Sequence, residues 1–297
     1  MSSSTSSWLK QEKRFLYLTI FPTVIIIVVI GLIPLIYMFV LSLSDFNLIK
    51  PPARFVGFFN YVHLLSNPRY IRALTFTIVF AFAATILELI YGFFVAYLLA
   101  DKEVSSSYSS VMRTLILLPF IVAPVVISYV FKTLIYDPTF GYLNYFLRIL
   151  HLPAFDVYQG SMSAPIGIFV MEVILRTPFI MIILYAGISS ISPSIFDAAQ
   201  IDGASWFKQI SEIIIPVIRP IIAVAFVFRF MDVLKMFDEI YVVTHGGPGY
   251  VTENLSIFAV KHAFEYFRMG YAAAAAFIFL VLVMLLISPF LKMAKFE

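Results

Sequence analysis

Six stretches of this chain, at roughly 15–43, 72–100, 114–135, 164–188, 213–235 and 270–291, run apolar for about twenty residues or more with few charges. A helix rises about 1.5 Å per residue, so some 20 apolar residues cross the ~30 Å hydrocarbon layer of a bilayer. Lipid offers no hydrogen bonds, so each span must satisfy its own backbone, and unpaired strands are excluded. The expected fold is an all-α membrane protein with six transmembrane helices in one domain, 15–291. Composition agrees: 62% of the 297 residues are hydrophobic and 12% are charged, whereas soluble domains are about half apolar and a quarter charged.

Residues 1–14 are Ser-rich and then basic at Lys10, Lys13 and Arg14. The apolar run that follows is far too long for a signal-peptide core and has no small-residue cleavage site, which predicts an uncleaved first span. Lys and Arg outside the spans divide almost evenly, so the positive-inside rule discriminates little. The basic start and the 292–297 tail, with Lys292 and Lys295, favour two cytoplasmic termini, as an even span count requires. That puts 101–113 and 189–212 inside, and 44–71, 136–163 and 236–269 outside. Two outer stretches, 55–65 and 141–148, are aromatic and amphipathic, suited to interfacial helices held by membrane lipid. Pro22, Pro34, Pro119, Pro124, Pro178 and Pro220 fall within spans, where kinks serve packing.

Several functions are excluded. The absence of cysteine removes disulfides, zinc–thiolate sites and iron–sulfur clusters. His63, His151, His245 and His262 are dispersed without ligand spacing, so no metal site is expected. A net charge of +3 is too small and scattered for nucleic acid. No P-loop, His-Glu-x-x-His, Gly-x-Ser-x-Gly or EF-hand pattern is present. A transporter built on this chain would therefore import its energy from a partner's ATP hydrolysis or from an ion gradient. A membrane-embedded enzyme using Glu172, Asp232 or a histidine lacks any supporting nucleophile–base spacing.

Charges inside spans are costly and mark function by default. The second span carries Glu88, read alone as a packing or hinge residue. Glu172 and Arg176 lie four apart in the fourth span, and Arg229 and Asp232 three apart in the fifth, with Lys235 three further on. These spacings place each pair on one helical face. Two readings stay open: an ion-pair network that locks helices together, or a polar cavity in which at least one residue meets a ligand. Phe179 and 228–230 supply aromatic faces near that level.

Between the fourth and fifth spans, 197–216 is small, polar and amphipathic, which predicts a surface helix and a handle for a soluble partner. It contains Asp197-Ala198-Ala199, then Asp202-Gly203-Ala204, and closes on Ile215-Pro216. This resembles the Glu-Ala-Ala loop of type I ABC-importer membrane subunits, with Asp197 for the usual Glu and Ile215 for the usual Leu. Further motifs resemble the carbohydrate-uptake branch and its larger maltose-type and glycerol-phosphate permeases. They are Phe55-Val56-Gly57 with Asn60-Tyr61, Leu117-Leu118-Pro119 with Pro124, Thr177-Pro178-Phe179, and Phe237-Asp238-Glu239 running to Gly246-Gly247-Pro248 and Thr252.

The resemblance implies a permease in the plasma or inner membrane, without enzymatic activity, paired with a second homologous permease. Two ATP-binding subunits would hold ATP and Mg, this chain having no cofactor, and an extracytoplasmic solute-binding protein would deliver a sugar. A coupling helix at about 194–208 would engage an ATPase through Asp197, Ala198, Ala199, Asp202, Gly203 and Ala204. Substrate-path positions carried over by motif, together with the charge cluster, are Glu172, Leu175, Arg176, Phe179, Arg229, Asp232, Val233 and Met236. The polar residues differ from the maltose-type set, which implies a different sugar or a weak, less specific site. Glycerol phosphate is an alternative cargo, and a gradient-driven carrier an alternative mechanism, although no internal duplication supports the latter.

Overall fold

The structure, a computed structural model, describes residues 2–50, 52–101 and 104–293, and the side chains of 15–290 among them. The expected basic side chains at Lys10, Lys13, Arg14 and Lys292, and the tail from 294 onward with Lys295, lie outside these. The helices are α1 (Ser2–Ile27), α2 (Ile33–Ser42), α3 (Phe59–Leu65), α4 (Pro68–Ala100), α5 (Ser106–Ile121), α6 (Pro124–Val130) and α7 (Tyr142–Ile149). They continue with α8 (Ser163–Ser189), α9 (Pro193–Ile201), α10 (Trp206–Gln209), α11 (Ile215–Leu234), α12 (Asp238–Val243), α13 (Leu255–Val260) and α14 (Met269–Met293). Wide turns at Val28–Leu32, Phe131–Ile135, Ile210–Ile214 and Lys261–Glu265 extend α1, α6, α10 and α13. Among the described residues the only β pairing is an isolated bridge between Ser44 and Phe55.

Five helical stretches are long and apolar enough to cross a membrane: Phe15–Ser42, Pro68–Ala100, Ser163–Ser189, Trp206–Val243 and Met269–Phe290. The sixth expected span differs from the simple helix read at 114–135. Its two halves, Ser106–Ile121 and Pro124–Ile135, meet at an angle of 94°. The cause is local. Pro124 has no N–H to continue the ladder of α5, and a residue before proline is driven out of the helical region; Ala123 has ψ 137°. Pro124 thus marks a sharp break between α5 and α6 rather than a mild packing kink.

The chain divides into two compact units, Met1–Ser66 with Ala259–Ile278, and Asn67–Phe258 with Phe279–Glu297. In the first, the Asn60 amide donates to the Ser42 and Ser44 carbonyls, both at 2.9 Å, and Ser42 shares a 2.5 Å hydrogen bond with Tyr61. Asn60 and Tyr61 therefore staple α3 to the end of α2. Phe58, Phe59, Val62 and Leu65 are left exposed, as an interfacial helix requires.

The second unit is built on α4, α8 and α11. Small residues let these helices approach closely: a Cβ on Gly92 would come within 2.9 Å of Ile180, and one on Gly187 within 2.8 Å of Ile221. Ile180, Met181, Leu184, Ile214 and Ile218 form one buried cluster, and Ala81, Ala84, Ile168, Phe230 and Leu234 another. Outside the spans, Asn144 anchors α7 by donating to the Tyr136, Asp137 and Phe155 carbonyls and accepting from Phe155 N at 2.7 Å. Backbone N–H groups of Phe140 and Thr139 donate to Asp137 and hold its carboxyl below the usual range.

Candidate functional site: a buried charge chain and a surface turn

Arg229 on α11 is the hub of the charge cluster. Its Nε lies 2.7 Å from Glu88 Oε2, and its Nη2 lies 3.0 Å from Glu88 Oε1 and 2.7 Å from Glu172 Oε1. The three side chains are buried, with no more than 3% of each exposed. Arg176, one turn beyond Glu172 on α8, binds Glu239 of α12 at 2.5 Å. Contacts within single helices are looser: Arg176 to Glu172 at 3.9 Å, Arg229 to Asp232 at 3.6 Å and Lys235 to Asp232 at 3.4 Å. The result is an alternating chain, Glu88–Arg229–Glu172–Arg176–Glu239, that ties four helices together.

Glu88 is thus corrected from a lone packing or hinge residue to a bidentate partner of Arg229. Spacing along one helix reveals only neighbours on that helix, and the strong pairs here cross between helices. Glu239 lay inside a quoted motif, but its role as a counter-ion was missed. The readable signal for Glu88 was that pairing Glu172 with Arg176 and Asp232 with Arg229 leaves it without a near-sequence partner.

A cavity of about 230 Å³ opens beside the chain, its lining including Glu172, Arg176, Arg229, Asp232, Lys235, Met236, Asp238 and Glu239. Five of the eight expected path residues, Glu172, Arg176, Arg229, Asp232 and Met236, therefore share one space. The other three do not. Leu175 is buried with Tyr136, Val157 and Met171, Val233 packs in the Phe230 cluster, and Phe179 stacks on Phe120 at 5.5 Å.

The Phe-Asp to Gly-Gly-Pro run builds the wall that carries Glu239. The helix is interrupted between α11 and α12 at Lys235–Phe237. Lys132 Nζ then donates to the Val242 carbonyl at 2.9 Å, at the negative end of α12. Beyond it, Thr252 bonds Thr244 at 2.8 Å and the Gly247 carbonyl at 2.7 Å, while Gly246 takes φ +83°. Arg69 grips the fully buried Glu253 through two 2.6 Å bonds and lies 3.8 Å from the Tyr250 ring.

The second site is the surface turn between α8 and α11. The helix expected at 194–208 is two: α9 ends at Ile201, and α10 begins at Trp206. Gly203 N bonds the Gln200 carbonyl at 3.0 Å and Ala204 N the Ala199 carbonyl at 2.9 Å, the paired closure that requires a left-handed residue. Gly203 supplies it, with φ +72°. Ser205 then caps α10 by accepting from Lys208 N. Asp197, Ala198 and Asp202 are exposed, and Ala199 and Ala204 are half-buried. Sequence reading did not single out the apolar tips beside them: Ile201 is 86% exposed, Trp206 59% and Phe207 65%. Behind α9 lies a cavity of about 480 Å³ that Asp197 and Phe196 help to line.

Several helices able to cross a membrane, a broken span, a charge-lined cavity and an exposed inter-span turn define an integral membrane permease. Residues 88–292, which hold both sites, match the family described as "binding-protein-dependent transport system inner membrane component", and the chain belongs to it. It is 32% identical to the trehalose/maltose transport system permease protein of Thermococcus litoralis, over 100% of this chain and 99% of that one. It is 29% identical to the trehalose transport system permease protein of Mycobacterium tuberculosis, over 95% and 89%. A bacterial alginate ABC transporter, solved with an alginate pentasaccharide-bound periplasmic protein, contains a chain of the same fold. Its TM-score is 0.81 at 21% identity, covering 96% of this chain and 95% of that one.

Proposed function

We propose that this chain is one of two membrane subunits of an ATP-driven importer, and that its charge-lined cavity forms part of the passage for a neutral sugar. The match over the whole chain to a trehalose/maltose permease carries this reading. A binding protein delivers the sugar on the outer side, and both termini and the α9–α10 turn face the cytoplasm. Two ATPase subunits bind ATP and Mg there, and one of them seats Asp197, Ala198, Ala199, Asp202, Gly203 and Ala204. Ile201, Trp206 and Phe207 would supply apolar area to the same contact, since exposed apolar tips on a polar rim suit a protein partner. The permease itself performs no hydrolysis.

Cavity charge speaks against glycerol phosphate as cargo. Three basic residues line the cavity, Arg176, Arg229 and Lys235, against four carboxylates, Glu172, Asp232, Asp238 and Glu239. Each basic group already has a carboxylate within 4.0 Å. A phosphate would enter a space with an excess of like charge, whereas sugar hydroxyls can donate to the carboxylates. The test is uptake into proteoliposomes containing this chain, its companion permease and the ATPase subunits, with the binding protein outside. Labelled trehalose or maltose is expected to accumulate only with ATP inside, and glycerol phosphate not to accumulate. Sugar uptake driven by an ion gradient without the ATPase subunits would refute the importer reading.

A further inference from the structure

We propose that Arg176 is a positioning residue with two carboxylate stations, Glu239 and Glu172, and that its exchange between them releases α12 from α8 as the passage opens. The inference rests on the reading of the cavity as part of the passage. It starts from an asymmetry in Glu172. One oxygen, Oε1, is held by Arg229 at 2.7 Å, while the other, Oε2, is buried with no hydrogen-bond partner among the described residues. A buried acceptor left unmade is costly, and native proteins rarely keep one without a reason. A second cationic donor is already close: Arg176 Nε lies 3.9 Å from that oxygen while its Nη2 is bound to Glu239.

The parts differ in freedom. Arg229 is fixed by three charge-assisted bonds from two helices and has 3% of its side chain exposed. Arg176 has 17% exposed, into the cavity. Glu172 and Arg176 share α8 and move together, whereas Glu239 sits on the six-residue α12 beyond the helix break at Lys235–Phe237. A guanidinium has five donors, so a small rotation converts the long Glu172 contact into a full pair as the Glu239 pair breaks. One ion pair replaces another. The two arrangements are therefore close in energy, as a switch requires, and the freed Glu239 faces the widened cavity, where water or sugar hydroxyls can donate to it.

Paired variants in the assembled importer separate a switch from a static lock. E172Q keeps a carbonyl oxygen for Arg229 and puts an amide NH2 where the vacant station was. It is expected to lower ATPase turnover in the absence of binding protein, by about fivefold, because the closed arrangement is favoured. E239Q weakens the other station and is expected to raise that turnover by about the same factor. The double variant E172Q/E239Q should return toward the wild-type rate. Shifts of the same sign that add in the double variant would overturn the proposal. An independent readout uses the wild-type charges: spin labels at cysteines replacing Ile174 and Val242, in a chain that has no other cysteine. Two α8–α12 distances, with populations that shift on adding ATP and binding protein, are expected; one unchanging distance would overturn the exchange even where ATP-dependent uptake is intact. Failure of the importer reading would look different, as no ATP-dependent uptake in the unlabelled wild type.

Discussion

Replacing Arg229 with methionine is expected to cost the folded protein about 3–5 kcal/mol, a large share of the stability of any single domain. The magnitude follows from what is left behind rather than from what is removed. Arg229 is the sole close partner of Glu88 among the described residues and the short-range partner of Glu172. Without it, two carboxylates on α4 and α8 with no more than 3% of their side chains exposed face one another with no cation between them. Arg229→Lys should be intermediate, since a single ammonium cannot reproduce the fork that engages both oxygens of Glu88. Adding Glu88→Gln to Arg229→Met should recover part of the loss, because one stranded charge is removed. Thermal unfolding of the detergent-solubilised protein, with the fraction recovered in the membrane, reads all three. Equal stability in wild type and Arg229→Met would show that the hub carries no load.

Gly203→Val is expected to leave the protein inserted and assembled while lowering ATP-driven uptake by about 100-fold, toward the upper end of measured coupling between sites. A Cβ at this position would meet nothing within 4 Å, so crowding is not the reason. The reason is backbone conformation: φ +72° is costly for a β-branched residue, at roughly 1–2 kcal/mol, and cheap for glycine. Relaxing that strain would undo the closure at Gln200 and Ala199 and re-aim α9, and with it the face proposed to meet the ATPase. Gly203→Asn provides the control, because asparagine tolerates the left-handed region and should retain most uptake. Uptake assays alongside binding-protein-stimulated ATP hydrolysis measure the effect. Equal loss in both variants would point to a direct contact by the glycine surface instead of a turn.

Much of the fold was legible because hydrocarbon imposes a coarse code. Runs of about 20 apolar residues can do little but span, and five of the six form helical stretches long and apolar enough to do so. The sixth broke at Pro124 because hydropathy counts side chains and is blind to a missing backbone donor. The bounds 194–208 of the coupling helix came from the family resemblance, which carries no backbone angles and so did not show the left-handed Gly203 that separates α9 from α10. At the charge cluster, periodicity placed Glu172 with Arg176 and Arg229 with Asp232 correctly on shared faces. It could not show that Glu88 and Glu239 complete the pairs, because those meetings depend on how α4 and α12 pack. Leu175, Phe179 and Val233, carried over by motif, fall in apolar packing instead of on the cavity wall.

The central claim is that an ATPase grips the turn around Gly203 and drives this permease. A single cysteine at Ile201 tests it most directly, since the chain offers no competing thiol and this side chain is 86% exposed. In inverted membrane vesicles holding the assembled importer, a short bifunctional reagent should link that cysteine to the ATPase subunit, with a yield that changes on adding ATP and magnesium. Labelling only from the external face, or efficient labelling with no link to the ATPase, would contradict the account.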